Sequence, residues 1–139
     1  MIIVMVGLIN AIYLTVEHIK NVLTGEQVMC VVHILGDCND VLQSEYSEIA
    51  GIPVALLGVL YYAAVALLIL LYKTYKHPLF FYVLLILTSI GFLVSLLLVY
   101  VQFFVIHAVC PYCMLSAVVS IALFGLDIGL KKNTKKNIE

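Results

Sequence analysis

Residues 79–106 read LFFYVLLILTSIGFLVSLLLVYVQFFVI and carry no charged side chain. A helix of that length reaches roughly 40 Å at about 1.5 Å per residue. The hydrocarbon core of a bilayer is only about 30 Å thick. The stretch is therefore a membrane span that tilts or projects beyond the lipid. Working outward, Ile52–Tyr72 and Val109–Leu130 are apolar over spanning lengths. Met1–Val16 is shorter, at roughly 24 Å. It spans if the helix runs on past Glu17 and His18, or if further residues precede Met1. It has neither a basic leading region nor an obvious small-residue cleavage site, so it reads as a span rather than a signal peptide.

Composition agrees. Hydrophobic residues make up 65% of the 139, charged residues 11%, and mean hydropathy is +1.19. A water-soluble fold this apolar would expose large greasy patches, and lipid removes that problem. A net charge of −1 offers nothing for nucleic acid. All seven basic side chains are lysines, so guanidinium clamping of phosphate or carboxylate is excluded. The chain reads as one domain over 1–139, with spans at about 1–16, 52–72, 79–106 and 109–130 and a basic tail at 131–139.

The connections set the expected orientation. Residues 17–51 are long and acidic, with Lys20 as their one lysine. Lys73 and Lys76 lie between the second and third spans, and Lys131, Lys132, Lys135 and Lys136 lie in the tail. Four spans put those two basic segments on one side, which the positive-inside rule assigns to the cytoplasm. Both termini are then cytoplasmic in a multi-pass cell-membrane protein. The acidic loop and the turn at His107 face outside. The sequence thus predicts an all-α membrane protein of four transmembrane helices, with a cysteine-bearing exoplasmic loop between the first and second.

All four cysteines fall on that outer side. Cys30 and Cys38 lie in the loop, and Cys110-Pro111-Tyr112-Cys113 opens the fourth span. An even number of cysteines in an oxidising compartment predicts disulfides. Residues three apart on a helix share a face, near disulfide reach. Pro111 suits the first helical position, so Cys110 sits where free N–H groups and the helix dipole favour a thiolate. Cys113 lies about 4.5 Å deeper along the helix. This spacing suggests a relay: a water-borne dithiol cannot reach Cys113, and a quinone in the bilayer cannot reach Cys30. Two disulfide pairs joined by thiol–disulfide exchange bridge that gap. Competing readings are a loop staple at Cys30 and Cys38, inert buried thiols at Cys110 and Cys113, and an all-sulfur zinc site, which the C-x7-C spacing and the oxidising compartment disfavour. The rival class is a non-catalytic structural or binding membrane subunit stapled by two disulfides.

Taken together, these residues resemble the vitamin K epoxide reductase family, in particular its stand-alone bacterial and archaeal members. The resemblance rests on Cys30 and Cys38 after the first span, Ser44 six residues later, Gly51-Ile-Pro-Val-Ala-Leu-Leu-Gly58 opening the second span, and Cys110-Pro-Tyr-Cys113 opening the fourth. It covers all but the lysine tail. It implies a four-helix bundle around a quinone pocket, and a quinone-dependent thiol oxidoreductase that supports disulfide formation. Cys30 would take electrons from a thioredoxin-fold thiol protein acting in trans, Cys38 would pass them to Cys110, and Cys113 would act on the quinone. Ser44 would support the loop. Val54, Leu57, Gly58, Tyr61 and Ala117 would meet the quinone, which is a substrate, with no metal required. Animal members carry asparagine and tyrosine where Val54 and Ala117 stand, and use them to hydrogen-bond vitamin K. Their absence favours ubiquinone or menaquinone over vitamin K epoxide. In the other class of quinone-linked thiol oxidases the CxxC precedes the loop pair, and here the order is reversed.

Several further polar residues lie within or beside the spans. Gln102, Tyr61, Tyr62, Asn10 and Tyr13 read as helix–helix hydrogen-bonding or interfacial groups, with a role at the quinone as the alternative. Gly91 and Ser95 read as a close-packing patch. Asp127 is expected to pair with Lys131 at i,i+4. His18, His33 and His107 lie near the outer face at helix ends or in the loop, which argues against haem ligation. His107 reads as a solvated interfacial histidine, with lowering of the Cys110 pKa as the alternative.

Overall fold

The computed structural model describes residues 1–25, 45, 48–107 and 109–138. Four helices in it are long and apolar enough to cross a membrane. They are α1 (Ile2–Thr24), α2 (Val54–Tyr75), α3 (Pro78–Val101), which a π-helical turn (Gln102–Ile106) prolongs, and α4 (Pro111–Ile138). Two short strands, β1 (Glu48–Ile49) and β2 (Ile52–Pro53), precede α2.

Local chemistry explains where the helices stop. Gly25 takes the left-handed conformation at φ 66° and its N–H returns to the Asn21 carbonyl, closing α1. The first span thus runs eight residues beyond the Val16 expected from sequence. Its polar extension is accommodated in two directions. Lys20 Nζ meets Glu17 Oε1 at 3.3 Å on the exposed side, while His18 turns inward and is buried. At the opposite end of the bundle, Lys76 ends α2 at φ 49°. His77 then caps α3, its Nδ1 accepting the Leu79 N–H at 3.2 Å ahead of Pro78.

The long third span does not continue as one regular α-helix. After Val101 it widens into the π-turn and ends at His107, which is left-handed at φ 54°. Between β1 and β2, Ala50 (φ 54°) and Gly51 (φ 78°) form a two-residue turn with both dihedrals positive, the conformation that suits a tight hairpin. That hairpin delivers Pro53 to the start of α2 and sets Glu48 opposite Pro53.

In the bundle α1 packs on α2 and α4, and α3 packs on the same two helices. Most large apolar side chains point outward, including Ile9, Leu60, Ile86, Leu97 and Phe104, as a lipid-facing surface requires. The interior is held by polar contacts as much as by apolar ones. Tyr62 is 1% exposed, and its hydroxyl lies 2.9 Å from Ser116 Oγ and 3.3 Å from Ser120 Oγ, tying α2 to α4. Its ring lies over Gly7 of α1, where a Cβ would collide with it. Tyr61 packs in the same way on Gly91 of α3, and its buried hydroxyl has no hydrogen-bond partner among the described residues.

Asp127 departs from the sequence expectation. It forms no ion pair with Lys131. The carboxylate is buried and accepts a hydrogen bond from Thr88 Oγ1 at 2.8 Å. A hydroxyl on the neighbouring α3 meets it inside the bundle, whereas Lys131 is exposed.

Candidate active site

Cys110 is the residue at which α4 begins. Its carbonyl accepts the Met114 N–H at 3.0 Å, the first bond of the helix, and Pro111 follows as the first helical residue. Its own N–H donates to Gln102 Oε1 at 3.2 Å. Gln102 is 3% exposed in the π-turn, so the widened helix end brings an amide oxygen to the backbone of the CxxC. A second clamp comes from α1, where Asn10 Nδ2 donates to the Tyr112 carbonyl at 2.9 Å. The Tyr13 and Tyr112 rings pack beside it, tilted by 42° with centroids 5.1 Å apart. Gln102, Asn10 and Tyr13, read from sequence as helix-packing or interfacial groups, thus fix the position of the CxxC.

Cys113 packs against the buried Cys110 and Leu14 at the start of α4. Cys110 is fully buried and Cys113 partly so. The hydrogen bond from the Cys113 thiol pulls the Cys110 thiol down to about 7. Burial opposes this, and the backbone N–H groups of Cys113 and Tyr112 assist it. The Cys113 thiol, assisted by the N–H groups of the helix start, therefore poises Cys110 as a thiolate near neutrality.

Cys113 faces a cavity of about 130 Å³. Small side chains leave the space: Ala11 on α1, Gly58 on α2 and Ala117 on α4 all line it. Val54, Leu14 and Val99 add apolar walls, and Gln102, Ser95, Ser116 and His18 bring polar atoms. An apolar cavity of about 150 Å³ holds a benzene ring, so this space suits one aromatic-sized ring. The donor set fits a quinone head: mostly apolar walls, a few polar groups, and a sulfur at one side.

Of the positions expected to meet a quinone, Val54, Gly58 and Ala117 share the cavity with Cys113. Leu57 and Tyr61 are not among its lining residues. Leu57 is 37% exposed on the outer face of α2, and Tyr61 points at α3 to cover Gly91. Helical geometry explains the split. Val54 and Gly58 are four apart and share a face, while Leu57 and Tyr61 fall on neighbouring faces. Ser95, paired in the sequence reading with Gly91, lines the cavity instead. Cys30, Cys38, Ser44 and His33 lie outside the described residues.

One pair at this site was not legible in the sequence. His18 Nε2 lies 3.2 Å from Glu48 Oε1, with the imidazole buried and lining the cavity and the carboxylate half-exposed. The only sequence signal was a histidine at a span end. Its partner is 30 residues away and is delivered by the hairpin. Among the described residues, no group of three His, Cys, Asp or Glu side chains is placed to hold a metal ion.

A buried, hydrogen-bonded CxxC beside an apolar, ring-sized cavity within four spanning helices defines a class: a membrane-embedded thiol oxidoreductase whose second substrate is lipid-soluble. The model of the vitamin K epoxide reductase family matches residues 1–128, and the chain belongs to that family. It is accordingly a multi-pass membrane enzyme, a quinone-linked disulfide oxidoreductase. Comparison with curated proteins gives no match.

Proposed function

We propose that this enzyme draws electrons from a thioredoxin-fold thiol protein outside the cytoplasm and delivers them to ubiquinone or menaquinone, supporting disulfide formation in secreted proteins. Cys30 and Cys38 accept the electrons, Cys110 and Cys113 receive them by exchange, and Cys113 reduces the quinone. The basic link and tail are cytoplasmic, the acidic loop is outside the cell membrane, and Ser44 supports that loop. The observation that carries this reading is the double placement of Cys113. It packs against the buried Cys110 and Leu14 on one side and faces the cavity of Val54, Gly58 and Ala117 on the other.

The chain's own groups assist each stage. Cys38 attacks the Cys110–Cys113 disulfide at Cys110, and a low thiol pKa makes Cys110 a good leaving group when Cys30 resolves the Cys38–Cys110 bond. Gln102 and Asn10 hold the backbone of the CxxC so that its two sulfurs stay in register. The apolar walls exclude water from Cys113 and leave a small cavity for a ring. With valine and alanine at 54 and 117, ring oxygens meet no hydrogen-bond donor from those two positions. That suits a quinone better than an epoxide whose opening needs a positioned donor.

Trapping tests the path. In Cys113→Ser, Cys110 has lost its resolving partner, so a Cys38–Cys110 disulfide accumulates and appears as a linked peptide by mass spectrometry. In Cys38→Ala, Cys30 stays joined to an added thioredoxin-fold protein. If neither linked species forms while quinone reduction proceeds, the electron path is wrong. The same result would return the loop pair to the role of a staple.

A further inference from the structure

The proposed reaction has a proton requirement that the cysteines alone do not meet. Converting a dithiol to a disulfide releases two electrons. Reducing a quinone to its hydroquinone consumes two electrons and two protons. When Cys110 begins as a thiolate its proton has already gone to water, so the pair brings only the proton of Cys113. A second proton has to enter the cavity from another group.

Among the residues lining the cavity, only Cys113 and His18 have ionisable side chains. Gln102 cannot ionise, and its oxygen is engaged by the Cys110 N–H. Ser116 is engaged by Tyr62, and neither it nor Ser95 is an acid. We propose that His18, held by Glu48, is the general acid that supplies the second proton to the quinone oxygen in this cavity. This inference rests on the reading of the cavity as the quinone site.

The geometry supports a one-way orientation of the ring. An ionised carboxylate only accepts hydrogen bonds, so facing Glu48 at 3.2 Å requires the proton of that contact to sit on His18 Nε2. Nδ1 is then the nitrogen that exchanges a proton with the cavity contents. It has no hydrogen-bond partner among the described residues. The pair also straddles the cavity wall: side-chain exposure is 7% for His18 and 45% for Glu48. Water at Glu48 therefore recharges the ring between turnovers. A carboxylate that orients an imidazole and stabilises its charged form is a familiar arrangement for acid–base catalysis.

The other ionisable groups nearby have separate roles. On α1 itself, Glu17 and Lys20 pair with each other at 3.3 Å and the Tyr13 ring packs against Tyr112. From α4 come Tyr112, Cys110 and Cys113. The α2 and α3 residues lining the cavity bring no titratable side chain.

The step balances as follows. The Cys110–Cys113 S–S bond forms, and the Cys113 S–H bond breaks. Two electrons pass to the quinone, and its two oxygens take one proton from Cys113 and one from His18. His18 is left neutral and regains its proton from water.

The test uses purified full-length protein, reduced and mixed anaerobically with a short-chain ubiquinone analogue. Single-turnover quinol formation is followed against pH. In the wild type the rate rises with the Cys110 thiolate and falls again at higher pH, a bell whose falling limb belongs to the proton donor. His18→Gln places an amide N–H where Nε2 was but cannot shuttle a proton. It is expected to slow the step by about 100-fold and to remove the falling limb while keeping the rising one.

A second readout needs no quinone. In ¹⁵N-histidine NMR, His18 shows the Nε2-protonated tautomer in the wild type, and Glu48→Gln converts it to a mixture. Wild-type turnover in His18→Gln, a falling limb that survives the substitution, or a tautomer indifferent to Glu48→Gln each overturns the assignment. Cys113→Ala separates the two levels. If it still forms quinol, the quinone-site reading is what fails. If it is dead while His18→Gln is unimpaired, only the proton donor is wrong.

Discussion

Gly7→Ala sets two opposing effects of known size against each other. Replacing a helical glycine with alanine gains about 1 kcal/mol of helix propensity. Here, however, the new Cβ would be driven into the ring of Tyr62. Tyr62 cannot swing aside, because it is 1% exposed and its hydroxyl is bound to Ser116 and Ser120 on α4. Overpacking of a filled interior costs about 1–3 kcal/mol. The clash therefore outweighs the propensity gain, and Gly7→Ala destabilises by about 1 kcal/mol net. In a Tyr62→Leu background the ring is gone and the same substitution turns stabilising by several tenths of a kcal/mol. The double-mutant cycle carries a coupling of about 1–2 kcal/mol. Reversible unfolding in mixed detergent micelles, with helicity as the signal, measures all four corners. A stabilising Gly7→Ala in the wild type, or additivity across the cycle, would refute the placement of Tyr62 between α1 and α4.

Three other outcomes follow from the site and its supports. In reduced protein, the thiolate absorbance lost in Cys110→Ala titrates with a midpoint of about 7. Because the folded protein lowers this thiol, the thiolate is present above that pH and lost below it. In Cys113→Ala the midpoint moves up toward ordinary thiol values, since the Cys113 hydrogen bond is the largest cause of the depression. An unmoved midpoint would assign the effect to the helix start alone. Gln102→Leu removes the acceptor of the buried Cys110 N–H and costs about 1–3 kcal/mol. It also slows dithiol-driven quinone reduction, and Gln102→Glu, which keeps an oxygen there, recovers most of the loss. Thr88→Val withdraws the donor from the buried Asp127 carboxylate and lowers stability by about 1–3 kcal/mol, read in the same unfolding assay, with turnover per folded molecule unchanged.

The features legible in the sequence were those written in one-dimensional spacing. Uncharged runs of spanning length gave all four helices. The proline between Cys110 and Cys113 gave the start of α4, while Val54 and Gly58, which line the cavity, were pointed to only by the family resemblance. The features that escaped depend on contacts between distant segments. The run past Val16 was open between helix and loop because Glu17, His18 and Lys20 are polar. In the fold two of them pair outward, and the third is matched by Glu48 from a hairpin that hydrophobicity does not announce. Asp127 looked like a surface i,i+4 partner of Lys131, but the helix face it occupies meets Thr88. Leu57 and Tyr61 belonged to the same motif as Val54 and Gly58, and only the rotation of α2 against its neighbours separates them from the cavity.

The relay depends on a redox-active Cys110–Cys113 pair in direct contact with a cavity-bound quinone. Anaerobic mixing of reduced protein with one equivalent of quinone, followed by alkylation and peptide mass mapping, tests this most directly. The account predicts one quinol per protein, with Cys110 and Cys113 both protected from the alkylating reagent as a disulfide, and no quinol from Cys113→Ala. Quinol formation that leaves both cysteines alkylated, or that persists in Cys113→Ala, would contradict it.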